Sequence, residues 1–121
     1  VSSRLAGAEG RHIVVRAVPG ERATIDGQLA IPGRYTTFWG LEVTFSDPRR
    51  VTTIPGSDPS DIPREGKGIF VTGPYNRLVH LVIHDLGDGL FSGSSAPGLE
   101  IVGCLVYNNG WQGPDRGHGH G

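Results

Sequence analysis

Two groups of side chains have the types and spacing that acid–base or metal chemistry uses. His80, His84, Asp85 and Asp88 form the densest set of ionisable groups in the middle of the chain. Imidazole titrates near neutrality and carboxylates exchange protons readily, so such a set can supply an acid, a base or a ligand. The second group lies in Asp115-Arg116-Gly117-His118-Gly119-His120. His-x-His on a strand turns both imidazoles to one side, and Asp115 with His118 and His120 would make a three-ligand set for zinc or another transition metal. The same residues suit a sugar groove with Asp115, Arg116 and His118 as polar contacts, because a guanidinium takes a uronate carboxylate in bidentate fashion. Trp111 is expected at the surface beside them as a platform for a sugar ring, whereas Trp39 is expected in the core. Both groups equally suit solvated or corner-bonding roles, and no catalytic residue is identified.

These residues sit on a repeat. Val79–Gly87 and Val102–Gly110 share one pattern at a displacement of about 23 residues, and Leu29–Tyr35 falls on Ile69–Tyr75 at about 40. Short alternating runs punctuated by Gly, Pro, Asn and Asp predict strands at His12–Val18, Ala23–Asp26, Leu29–Ile31, Phe38–Phe45, Ile69–Val71, Leu78–His84 and Leu99–Tyr107. Within the repeated strand, alternation turns Leu41 and Val43, Leu81 and Ile83, and Cys104 and Val106 inward. It turns His80 and His84 outward. A coil of about 20 to 25 residues cannot bury its apolar face alone, so equivalent strands are expected to pair in parallel and stack into a shared core. Glycines 27, 33, 73, 87, 98 and 110 fall where corners are needed. One segment breaks the pattern. Residues 46–66, four of them prolines, read as a long loop excursion, with 47–65 as an insertion that covers or lines a groove. At the other end, Gly117–Gly121 reads as the start of a further strand, so a single partial domain over 1–121, truncated at both ends, is expected.

Bulk properties exclude several classes. A formal charge of −1 gives no electrostatic case for nucleic acid or an anionic membrane. No apolar run is long enough to span a bilayer, and the Val1 start lacks the regions of a signal peptide. Twenty glycines in 121 residues imply many turns. The single cysteine, Cys104, forms no intramolecular disulfide and occupies a position otherwise filled by leucine, so it reads as a small buried apolar residue.

The opening Ile13-Val14-Val15-Arg16-Ala17-Val18-Pro19-Gly20-Glu21-Arg22-Ala23-Thr24-Ile25-Asp26-Gly27, the Tyr35–Val43 segment and the Asn108-Asn109-Gly110 corner resemble the N-terminal coils of a right-handed parallel β-helix of the pectate-lyase-like superfamily, in particular the alginate lyase and chondroitinase B group. The resemblance implies an all-β solenoid whose Asn corners bond between coils. It further implies a secreted or cell-surface carbohydrate-active protein that acts on acidic polysaccharide by proton abstraction and β-elimination. Calcium is implied for that group, with ligands and catalytic Lys and Arg on coils beyond residue 121. The alternative is a non-catalytic surface or structural β-helix that binds glycans or proteins.

Overall fold

The computed structural model describes residues 1–119, which form thirteen strands and, among the described residues, no helix. Eleven of the strands make three parallel sheets that the chain visits in turn. The first sheet contains β1 (Ile13–Arg16), β4 (Thr36–Trp39), β7 (Arg77–Val79) and β10 (Glu100–Val102). The second contains β2 (Thr24–Asp26), β5 (Glu42–Thr44), β8 (Val82–His84) and β11 (Leu105–Tyr107). The third contains β3 (Leu29–Ile31), β6 (Ile69–Val71) and β9 (Leu90–Ser92). Every neighbouring pair is parallel and in register, with Phe38 beside Leu78, Val43 beside Ile83 and Leu29 beside Ile69. The displacements read from the sequence are therefore the register steps of the sheets.

The inward column of the second sheet is the one expected, whereas that of the first is shifted by one residue, with Phe38 and Leu78 inward in place of Trp39 and Val79. Ile25, Val43, Ile83 and Val106 lie side by side across the second sheet, and Val15, Phe38, Leu78 and Ile101 across the first. Val43, Leu78, Leu81 and Ile83 are fully buried, while Cys104 and Val106 on the last circuit are half-buried against them. Full burial of one such aliphatic side chain contributes about 1.5–3 kcal/mol. Outer strands have a neighbour on one side only, so Ile101 stays 50% exposed although its column partner Leu78 is enclosed.

One expectation changes. What reads as a single repeated strand is two strands bent at Gly40, His80 and Gly103, all left-handed with φ of 66°, 52° and 59°. A second column of left-handed residues, Tyr35, Tyr75 and Gly98, opens the first sheet, and the two tyrosine rings stack at 4.9 Å. In each column a ring lies over the glycine of the next circuit: a Cβ on Gly103 would strike the His80 ring, and one on Gly98 the Tyr75 ring. Glycine is thus required there by the neighbour as well as by the backbone. Asn76, fully buried, fastens the same edge: its amide accepts from Thr36 N–H (3.1 Å) and donates to the carbonyls of Gly33 (2.8 Å) and Gly73 (3.0 Å).

The excursion 46–66 is not thrown clear of the body. It folds back along the later circuits and buries Ile62 and Arg64. Thr52 N–H donates to Gln112 O (3.0 Å), and Gln112 N–H donates to Arg50 O (2.7 Å). A strand does begin at Gly117, as expected, but not as the next parallel strand of the stack. There, β13 (Gly117–His118) pairs antiparallel with β12 (Trp111–Gln112), because the turn at Gly113–Arg116 returns the chain on itself. No helix among the described residues is long and apolar enough to cross a membrane.

Candidate functional site

On the outward face of the second sheet, parallel pairing brings Glu42 of β5 and His84 of β8 within reach, one circuit apart. His84 Nε2 lies 3.0 Å from Glu42 Oε1, and its Nδ1 lies 2.6 Å from Asp85 Oδ2. Burial opposes a charge on the ring, but the hydrogen bonds that the ring donates to Asp85 and Glu42 outweigh it and raise the His84 pKa. The bond from His84 lowers the pKa of Glu42, with Thr24 Oγ1 adding a further donor at 2.8 Å. The bond from the other ring nitrogen of His84, followed by the charge of Arg50, lowers that of Asp85. An imidazole that meets a carboxylate at each nitrogen donates twice, which only the cation does. Tyr107 of β11 stacks on the ring at 5.0 Å and 5°.

The network continues outward. Arg50 of the excursion pairs with Asp85 and donates to Asn108 O (2.8 Å), while Asn108 Nδ2 donates to Asp85 Oδ1 (2.8 Å). Asp85 and Asn108 both turn with positive φ, 59° and 56°. Asn109 Oδ1 accepts from Leu86 N–H (3.0 Å), so the Asn corner does bond from circuit to circuit. Asp85 therefore fixes a corner, a histidine and the excursion at once.

Across the first bend lies a second feature. Trp39, expected inward, faces out with 44% of its surface exposed, because alternation on β4 gives the inward place to Phe38. The Arg16 guanidinium lies 6.0 Å from its ring centroid, and the His80 ring meets it edge-on at 6.2 Å. Trp39 and Arg16 line a concavity of about 260 Å³ whose other wall is residues 17–21, including Glu21. An indole face beside a guanidinium and a carboxylate can stack on a sugar ring and pair with its charged substituents.

The predicted residues therefore fall in separate places. His84 and Asp85 are in one network, and His80 stands beyond the bend with Trp39. Asp88 lies half-buried in the turn after β8, where its N–H donates to Lys67 O (2.8 Å). Trp111, expected as a surface platform, is 4% exposed: its Nε1 donates to Glu65 Oε2 (2.7 Å) and His118 stacks on it at 3.8 Å. The excursion covers it. Asp115 accepts from His118 (3.2 Å), which lowers the Asp115 pKa, and Arg116 stands exposed beside it. His120 lies outside the described residues. Among those described, no group of three or more His, Cys, Asp or Glu side chains is placed to hold a metal ion.

Sequence reasoning missed Glu42, Arg50 and Arg16. The signal for Glu42 was available, since the 40-residue displacement sets it beside Val82 and diagonal to His84. No family model, curated protein sequence or solved structure matches the chain.

Proposed function

We propose that the chain forms coils of a right-handed parallel β-helix and engages acidic polysaccharide, as part of a secreted or cell-surface carbohydrate-active protein of lyase-like kind. The strand order through three sheets supports the architecture, together with the resemblance of the opening coils. The observation that carries the ligand class is the exposed Trp39 beside Arg16 in an open concavity. The indole offers apolar area to a pyranose face, and the guanidinium pairs with a uronate carboxylate.

In a uronate lyase, proton abstraction next to the carboxylate needs a free base, with a cation neutralising the acid group. His84 does not fit the base role, because each ring nitrogen already faces a carboxylate. That favours a second reading for this stretch of chain: it binds glycan without catalysing.

Two measurements test the pair. Electrophoresis through gels containing pectate or alginate is expected to retard the protein, with retardation lost in Trp39→Ala and absent with neutral dextran. Retardation unchanged in Trp39→Ala, or none at all, overturns the binding reading. Incubation with alginate, pectate and chondroitin, followed for ultraviolet-absorbing unsaturated products, separates a lyase from a non-catalytic binder.

A further inference from the structure

Arg64 is 1% exposed, and the glycan face makes no use of it. It reaches from the excursion beneath the corner after β5. There its Nε donates to Arg49 O (2.7 Å) and its Nη2 to Asp47 O (2.7 Å). Its Nη1 is enclosed and has no hydrogen-bond partner. Carbonyls satisfy donors but do not neutralise a full charge, and a buried cation is costly without a counter-ion. The acids nearby are engaged elsewhere. Asp47 is held by Arg49 (Nε 2.9 Å, Nη2 2.7 Å), which brings its pKa down to about 2, and Asp85 by His84, Arg50 and Asn108. Burial, and then the like charge of Arg50, push the Arg64 pKa down, only partly offset by the charges of Asp85 and Asp47.

Arg64 and Arg50 line one concavity of about 300 Å³, with Ser46, Asp47 and Asp85 on its walls. We infer that this concavity is a site for a carboxylate group, which accepts the unused Nη1 donors of Arg64 and lies against the charge of Arg50. The planar guanidinium matches a carboxylate better than a spherical anion. Because Nη1 of Arg64 is enclosed, admitting the group requires Arg50, with 30% of its side chain exposed, to turn off Asp85. The site is separate from the Trp39 concavity and does not rest on the glycan reading.

The carboxylate has two sources, a free small acid or the uronate of a polymer, and the test separates them. The protein in chloride-free buffer is titrated with sodium acetate and, separately, with galacturonate oligomers. The readout is the ¹⁵N side-chain resonance of Arg64 Nε–H, assigned through bonds to its own backbone. A saturable shift with acetate identifies a free carboxylate as sufficient, and one with oligomers alone identifies the polymer-borne group; either supports the site. Arg50→Gln is expected to weaken binding by about tenfold, the loss of one charge-assisted contact. If that variant does not fold, the wild-type titration decides. An Arg64 resonance unmoved by both ligands overturns the inference, as does an equal response to chloride. Retardation by pectate with Arg64 unmoved would leave the glycan reading standing and remove this one.

Discussion

Raising the pH should loosen the protein through one side chain, His84. Its folded-state pKa is raised above the ordinary 6.5, so the stability it contributes is complete below about pH 6.5 and is lost as pH rises through the folded value. One proton is involved, and the slope in that window cannot exceed about 1.4 kcal/mol per pH unit. Glu42 and Asp85 act with the opposite sign. Their pKa values are lowered from 4.5 and 3.8, so their contribution is present above those values and is lost as pH falls through the folded ones. The network is therefore strongest between about pH 4.5 and about pH 6.5. His84→Gln removes the titrating group. Two charge-assisted hydrogen bonds at about 1.5–3 kcal/mol each, less the cost of burying the cation, give an expected loss of about 2–4 kcal/mol near pH 6. That loss should shrink toward about pH 8.5, because the neutral imidazole has one N–H and leaves one carboxylate facing a lone pair. Urea unfolding followed by the fluorescence of buried Trp111 measures both proteins across the range. Subtracting the variant cancels the other histidines. A difference between the two that does not change with pH would refute the charged clamp.

Asn76→Ala leaves the Thr36 N–H and the carbonyls of Gly33 and Gly73 without their partner at a fully buried position. It should cost about 2–4 kcal/mol in urea unfolding, and a cost below about 1 kcal/mol would mean that water replaces the amide. Ile83→Ala, in the enclosed column, is expected to cost about 3–4 kcal/mol, and Val106→Ala on the half-buried last circuit distinctly less; calorimetric melting ranks the two. Gly103→Ala places a Cβ against the His80 ring at positive φ and should lower stability by more than backbone strain alone, about 1–2 kcal/mol; the double variant with His80→Gly should recover the steric part and leave the strain at residue 103.

The glycines show how the reading of local sequence reached its limit. Of the corner glycines expected to need positive φ, Gly27, Gly98 and Gly110 have it. Gly33, Gly73 and Gly87 are needed for another reason, since a Cβ on each would strike backbone of another segment: Leu5 O, Gly33 O and Arg64 O respectively. Conversely, Tyr35, Tyr75, Asp85 and Asn108 turn corners with positive φ although none is glycine, and His80 bends a stretch expected to be one continuous strand. Backbone conformation is a local property, whereas the approach of a neighbouring segment is not.

Periodicity and displacement were enough to determine the parallel pairing, the register and the inward columns from Val43 to Ile83 to Val106, because identical circuits bury their apolar faces only when equivalent residues stack. Three matters were decided by tertiary structure alone. Phe38 and not Trp39 faces inward, because the bend at Gly40 resets the alternation between β4 and β5. Trp111 is buried because the excursion folds over it. Arg50 meets Asp85, 35 residues away, because the long loop folds back to it, whereas the approach of Glu42 to His84 is already implied by the 40-residue displacement. Hydrophobic patterning is written along the chain, but the pairing of polar side chains depends on which circuits and loops finally touch.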